Sequence, residues 1–200
     1  MNRTAKLGAL AGVLAMSVLG AGVSSATSAV AQDKAGTPAV DAPIKFFKPG
    51  ANTIVKRNAE YAGASSGGEV VQPFGGPYPN KVKHRQDLGE VCGTKVVSKT
   101  SGRGKTTLVL SVDKGVSAEW NAEVKVESEA VSAGMGFGVT KSYTVKNETR
   151  YEVPKGKMGT VEAYPLYNLY RAKIYNAVGI FQGNVTAMKP IGVCFNQWAK

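Results

Sequence analysis

The chain has 200 residues, enough for one modest domain and a tail, and its 25 basic and 14 acidic residues give a formal net charge of +11. It contains one histidine and two cysteines, so a hydrolytic triad or a clustered metal site would lack most of its usual groups. The composition therefore favours a basic protein that acts by binding rather than by catalysis.

Residues 1–31 have the pattern of a secretory signal peptide. Arg3 and Lys6 precede the apolar run LGALAGVLAMSVLGAGV, and AVA at residues 29–31 fits a small-residue cleavage site. The run is short and rich in glycine, and no basic stop-transfer cluster follows it, which disfavours a membrane anchor. No second apolar stretch approaches spanning length. We therefore expect a secreted, extracellular protein that begins at Gln32.

Loss of the signal peptide would remove two basic residues and no acidic residue, which lowers the net charge from +11 to +9. In the cytoplasm such a charge would suggest nucleic acid. Outside the cell it favours anionic envelope surfaces or acidic protein partners, so we expect no nucleic-acid partner. An equally simple interpretation is that the charge keeps an exported protein soluble.

Residues 32–90 are predicted to form a flexible arm. AGTPAVDAP, AGASSGGE and VQPFGGPYPN are rich in proline, glycine and serine and cannot bury much apolar area. Two islands, PIKFFKPG and NTIVKRN, interrupt this composition. We expect their β-forming residues to bind a partner's groove or sheet edge, with packing on the chain's own domain as the alternative. A protease site at Lys56-Arg57 is a further interpretation. The predicted partner-binding residues are Phe46, Phe47, Ile54 and Val55.

Cys92 and Cys194 are predicted to form a disulfide, because an even cysteine count in an exported chain indicates a bridge. The bridge would close a loop of about a hundred residues, which the chain-entropy estimate values at about 4–5 kcal/mol. It would also mark the limits of a β domain at residues 91–200.

The domain is predicted to be all-β: a disulfide-clamped, antiparallel, β-sandwich-like fold of six to eight strands with little helix. KVVSKT and TTLVLSV flank SGRGK, which is typical of a hairpin turn. Residues 154–159 form a loop between predicted strands at 149–153 and 160–164.

Residues 116–145 alternate apolar and polar side chains over an unusual length. Even positions are apolar up to Val126, odd positions are apolar from Val131 onward, and the phase changes near Ala130. A change of phase marks a turn or bulge, so two strands joined there would form a long amphipathic hairpin.

This hairpin has two interpretations. Its length and its Ser/Gly/Thr face resemble the inserting hairpin of aerolysin-like toxins, which implies a pore-forming subunit and a membrane as its target. Its alanines would make a weak lipid-facing surface, however, and little of the chain remains for a receptor-binding domain. The other interpretation is a strand pair whose apolar face lies in the core of a sandwich, as is common in exported β proteins.

The sequence predicts no catalytic, cofactor-binding or metal site. His84 has no matching Asp or Cys constellation. SGRGKTT has Lys99 where a phosphate-binding loop requires glycine, and GMGFG lacks the context of a dinucleotide loop. Acid/base catalysis of the glycosidase type needs two converging carboxylates. The candidate glutamates instead alternate along a predicted strand and are expected on its solvated face: Glu119, Glu123, Glu127 and Glu129.

The segment AYPLYNLYRAKIY is rich in tyrosine and basic residues, which are favoured at interfaces. Tyrosine is also a good strand former, so some of these rings are expected in the core. Trp198 carries the same ambiguity. The possible interface residues are Trp120, Tyr167, Tyr170 and Arg171.

The stretch from VPKGKMGTVEAYPLYNLYRAKIY to IGVCFNQW resembles small exported proteins of actinobacteria. Together with the N-terminal arm, its layout is similar to that of the adaptor subunit of umbrella toxin particles. This resemblance implies a non-enzymatic adaptor in a secreted antibacterial complex, where it joins a lectin-bearing subunit to a large toxin protein. A secreted inhibitor whose arm fills an enzyme cleft is the third interpretation.

Overall fold

The computed structural model describes residues 43–61 and 79–200. The predicted signal peptide and the predicted arm at residues 32–42 and 62–78 lie outside the described residues. Within the described ranges the chain forms nine β-strands, one short α-helix and a 3-10 turn at Ala59–Tyr61. The predicted all-β class is confirmed, and residues 91–200, for which six to eight strands were expected, contain the end of β3 and six further strands.

The strands and the helix follow the order β1–β6, α1, β7–β9. Their bounds are β1 Phe46–Phe47, β2 Thr53–Arg57, β3 Asn80–Gly93, β4 Ser98–Arg103, β5 Thr106–Ser117, β6 Glu119–Ala122, α1 Ser128–Met135, β7 Ser142–Val153, β8 Met158–Asn176 and β9 Phe181–Ala199.

A long antiparallel pair, β8 with β9, forms the centre of the molecule. Its register runs from Gly159 opposite Ala199 to Tyr175 opposite Phe181. A strand of 19 residues spans about 60 Å at 3.3 Å per residue. We call the end at Ala199 the base and the connection at residues 176–181 the tip.

Shorter strands cover both edges of this central pair. β3 pairs with β8 toward the tip, and β4 pairs with β8 toward the base. On the other edge, β6 pairs with β9 toward the tip and β2 pairs with β9 toward the base. β1 adds to the outside of β3. All these pairings are antiparallel, and together they make a seven-stranded sheet.

Three clusters of buried side chains fix the layers. The first lies between the separate β5–β7 sheet and the central pair, and includes Leu110, Val145 and Phe195. The second joins α1 to the tip half of β8 and β9, with Val131 and Ile174 fully buried. The first cluster therefore covers one face of the central pair toward the base, and the second covers the opposite face toward the tip.

The prediction of a long hairpin over residues 116–145 is wrong. Strand β5 ends at Ser117, and α1 stands where the phase of the alternation changes. Val131 and Met135 are both buried in α1, and residues four apart satisfy the strand period and the helix period alike. The helix ends at Gly136, whose left-handed φ of 75° is typical of a helix C-terminus. The pattern that suggested an inserting hairpin is thus divided over several elements.

The turn SGRGK does not join a hairpin. β4 pairs with β8, whereas β5 pairs with β7 through twelve residues, so the turn carries the chain from one sheet to the other. Gly104 allows this crossing because a Cβ there would overlap the carbonyl oxygen of Pro154. The predicted loop at 154–159 is present, although the strands on either side of it also belong to different sheets.

The predicted disulfide between Cys92 and Cys194 is confirmed, and it spans 102 residues. It lies in the third buried cluster together with Leu166 and Ile191. Residues from the predicted arm cover it, namely Phe47, Val55 and Tyr61.

The part of the predicted arm that the structure describes packs on its own domain. β2 pairs with β9 over five residues, and β1 pairs with β3. β3 itself begins at Asn80, about ten residues before the predicted domain boundary at 91. The short apolar islands are ordered because each adds a row of backbone hydrogen bonds to an existing sheet edge.

Asn58 connects this N-terminal segment to the second sheet. Its Nδ2 donates to the carbonyl oxygen of Thr144 at 2.7 Å, and its Oδ1 accepts from the N–H of Lys146 at 3.0 Å. The residue is buried, with 8% of its surface exposed. The side chain of Asn58 therefore bonds the backbone of β7 much as a neighbouring strand would. Because Asn58 directly follows β2, these bonds link the seven-stranded sheet to the β5–β7 sheet.

Candidate interaction surfaces

Two of the predicted interface residues belong to the core. Tyr167 is 2% exposed, and its hydroxyl donates to Glu119 Oε1 at 3.2 Å. Burial, and then the neighbouring carboxylate, raise the pKa of Tyr167 above its usual value. Trp120 is half-buried and packs against the cluster around α1. Tyr167 is therefore inaccessible to a partner, whereas Trp120 keeps part of its surface exposed.

The other two predicted interface residues lie on opposite faces of β8, because neighbouring positions of a strand alternate. Arg171 is exposed, and its Nη2 lies 3.9 Å from Glu123 Oε1. Tyr170 is half-buried, and its ring packs 5.5 Å from that of Phe137. The structure thus does not bring the predicted interface residues together.

Lys189 occupies a cluster of aromatic rings beside Tyr170. Its Nζ lies 4.9 Å from the ring centre of Tyr61, 6.0 Å from Phe137 and 5.8 Å from Tyr143. Burial is the main cause that raises the pKa of Tyr61 to about 12. Since the chain's own lysine faces these rings, the cluster joins the N-terminal segment to the sheet and is not an open site.

A shallow groove lies at the base, beside the edge strand β2. It has a volume of about 440 Å³. We call it the base groove, and its lining consists of Ala51, Asn52, Ile54, Tyr151, Gln197, Trp198 and Ala199. Two aromatic rings, an aliphatic side chain and two amides give it both apolar contact and hydrogen-bonding groups, a mixture typical of interfaces.

The predicted arm residues alternate between exposed and half-buried positions. Phe46 and Ile54 are each 40% exposed, whereas Phe47 and Val55 are half-buried over the disulfide. Only Ile54 among them lines the base groove. Lys56 and Arg57, the predicted protease site, lie within β2.

The two most exposed large apolar residues of the described chain, Val178 and Ile180, lie at the tip, with Phe181 beside them. Val178 is 79% exposed, Ile180 61% and Phe181 49%. Such a group of apolar side chains in water is typical of a contact surface. This segment was not among the predicted interface residues, although the sequence shows it as the apolar run AVGIF after Asn176.

Hydrogen bonds fix the shape of the tip. The side-chain Oδ1 of Asn176 accepts from the N–H groups of Val178 at 3.2 Å and Ile180 at 2.9 Å. The backbone N–H of Asn176 donates to the carbonyl oxygen of Ile180 at 3.0 Å, and Gly179 supplies the left-handed φ of 87°. The turn therefore presents its apolar side chains in a preformed arrangement.

Within residues 43–61 and 79–200, no group of three or more His, Cys, Asp or Glu side chains is arranged to hold a metal ion. In the same ranges, no helix has the length and apolar character needed to cross a bilayer. Comparison with known proteins gave no family assignment, since no protein-family model and no curated protein sequence matches the chain.

Proposed function

We propose that the protein is a secreted, non-enzymatic adaptor that makes one contact through the base groove and another through the tip. The observation that carries the proposal is the placement of these two exposed surfaces at opposite ends of the central strand pair. The pair spans about 60 Å. A rigid body with a contact surface at each end can hold two ligands at a fixed separation.

The partner of the base groove is an extended segment of another secreted protein. β2 is the end of the strand order in the seven-stranded sheet, so it can accept a further strand from a partner. Ile54 on β2, with Tyr151 and Trp198 beside it, would contact the partner's side chains. In this arrangement the N-terminal segment still contributes to binding, as part of a formed groove rather than as a free arm.

Two observations support secretion, and a resemblance supports the kind of assembly. The bridge between Cys92 and Cys194 is of the type that persists in oxidising compartments, and residues 1–31 have the signal-peptide pattern. The resemblance in layout to adaptors of umbrella toxin particles supports a secreted antibacterial complex. In such a complex the partner protein of the base groove would be a lectin-bearing subunit or a large toxin subunit.

Capture from culture supernatant tests the base groove. Immobilised secreted protein is compared with Ile54→Asp and Trp198→Ala, and bound proteins are identified by mass spectrometry. Val109→Asp is the matched control, because Val109 is 49% exposed on β5. We expect the wild type and the control to retain a specific partner, and each groove variant to lose it by about tenfold or more. Equal capture by all four proteins would refute the base groove as a binding site.

A further inference from the structure

The face of the sheet that leads to the tip is strongly basic. Lys81 lies opposite Tyr175, and Lys83 lies opposite Lys173, so these side chains share one face of β3 and β8. All three lysines are exposed. They lie on the face opposite Val82 and Ile174, which are buried in the cluster around α1.

A small depression on this face is suited to an anion. It has a volume of about 240 Å³, and five of its six lining residues are of polar or basic type. One carboxylate lies close by, that of Glu123, which accepts from Asn184 and lies near Arg171. The basic side chains therefore exceed the carboxylates here. The lining residues are His84, Gln86, Arg171, Ala172, Lys173 and Asn184.

Aromatic rings lie beside the basic face where it meets the apolar tip. Tyr175 and Phe181 pack edge to face with ring centres 5.9 Å apart, and His84 packs 5.8 Å from Tyr175. His84 sits at a register shift in β3 and has a left-handed φ of 57°. From the tip toward the base, the apolar side chains come first, the aromatic rings of Tyr175 and Phe181 follow, and Lys83 and Lys173 come last.

We propose that this end of the protein binds the surface of an anionic phospholipid bilayer. The apolar side chains of Val178 and Ile180 enter the boundary between headgroups and acyl chains, while the lysines meet the lipid phosphates. Lys173 precedes Asn176 by three residues, or about 10 Å along the strand. This separation matches the depth of about 5–10 Å to which interfacial apolar groups enter a bilayer.

Charge and geometry together favour a bilayer as the occupant. Exposed apolar residues alone would suit many surfaces, but here basic side chains lie beside them, and the chain without residues 1–31 carries +9. Anionic lipid offers a phosphate layer directly above an apolar layer, in the order that the hairpin presents. Aromatic rings are also favoured at the level between the two layers.

The inference rests on the proposed function in one respect, namely that the tip is a contact surface, and it does not depend on the base groove. Co-sedimentation of the secreted protein with vesicles tests it. We expect binding to vesicles of phosphatidylglycerol mixed with phosphatidylcholine, and little binding to phosphatidylcholine alone. Soluble glycerol phosphate should not displace the protein, because it lacks the apolar layer.

Paired variants separate the two contributions. Val178→Ser/Ile180→Ser should lower the partition onto anionic vesicles about tenfold or more. Lys83→Gln/Lys173→Gln should lower it about fivefold for each lysine and flatten its dependence on salt. The matched controls are Val96→Ser/Val109→Ser, at other exposed apolar positions, and Lys95→Gln/Lys114→Gln, at other exposed lysines. Both controls should bind as the wild type does, and thermal unfolding should show that all variants are folded.

Equal vesicle binding by the tip variant and its control would overturn the proposal. So would complete displacement by glycerol phosphate, which would indicate a site for free phosphate, or loss of a soluble protein partner in the tip variant while vesicle binding persists. Capture through the base groove is measured separately. If capture fails but the protein binds anionic vesicles, the protein-binding groove is refuted and the lipid inference stands. If capture succeeds but vesicle binding fails, the lipid inference is refuted and the groove stands.

Discussion

Tyr164 couples the disulfide cluster to an ion pair. Its hydroxyl donates to Glu162 Oε2 at 2.6 Å, and Lys99 Nζ lies 2.8 Å from Glu162 Oε1. Burial, followed by the hydrogen bond to Glu162, raises the pKa of Tyr164 to about 12. The hydrogen bonds from Lys99 and then Tyr164 lower the pKa of Glu162. The ring of Tyr164 also packs edge to face on Phe47 at 5.3 Å.

The raised pKa of Tyr164 predicts a loss of stability in alkali. An unfolded tyrosine ionises near pH 10, whereas folded Tyr164 keeps its proton until about pH 12. Its contribution is therefore complete below about pH 10 and declines as the pH rises toward 12. Tyr164→Phe keeps the ring but removes this ionisation. Denaturant unfolding from pH 8 to about pH 11 should show a steeper fall in the free energy of unfolding for the wild type than for the variant. Parallel curves would contradict the assignment.

At this scale the sequence predicted the disulfide, but it did not show which of the predicted interface residues are exposed. Two cysteines permit one pairing, so Cys92 and Cys194 could be joined with no knowledge of the fold. Tyr167 and Tyr170 could not be told apart, because a register shift between Leu166 and Tyr167 breaks the alternation that would assign their faces. Leu166 and Tyr167 are consecutive and both buried, so no simple periodicity identifies the exposed ring.

Strand β2 shows how a short element gains its order. Five residues with mixed exposure would not be stable alone, but β9 supplies one row of backbone bonds and Asn58 adds two bonds to β7. Asn147 Nδ2 also donates to the carbonyl oxygen of Lys56 at 3.2 Å. The base groove depends on this strand, because Ile54 forms part of its wall.

Removal of the Asn58 side chain should loosen β2. Asn58→Ala removes the two part-buried hydrogen bonds to the Lys146 N–H and the Thr144 carbonyl oxygen, at a cost of about 0.5–1.5 kcal/mol for each bond. Hydrogen exchange should show faster exchange across Thr53–Arg57, with unchanged protection in the central strands β8 and β9. Asn147→Ala is the milder control, since it removes a single bond to Lys56. Unchanged protection of β2 in Asn58→Ala would show that the strand does not depend on this residue.

Elements were predicted better than their pairing. The loop at residues 154–159 and the strands around it follow from local turn residues. Whether β4 pairs with β5 or with β8 depends on distant residues that no local pattern encodes. The helix α1 was missed because it spans only eight residues and its buried positions also fit a strand.

At the scale of the whole described domain, the central pair of β8 and β9 carries the two proposed contact surfaces at its opposite ends. This arrangement could not be predicted from the sequence, because it depends on the register that places Ala199 opposite Gly159 and Phe181 opposite Tyr175. Local patterns predict strands, but only the pairing of β8 with β9 determines which residues lie at the base and which lie at the tip. Under the proposed function, the separation of about 60 Å between base and tip would let one chain hold two ligands without competition.

Flotation of vesicles tests this arrangement most directly. A partner that depends on Ile54 for capture is mixed with anionic vesicles and the secreted protein, and floated through a density gradient. We predict that the partner floats only when the protein is present, and that Ile54→Asp or Val178→Ser/Ile180→Ser abolishes its flotation while the Val109 controls do not. Displacement of the partner by the vesicles would contradict the account, because the two ligands would then share one surface.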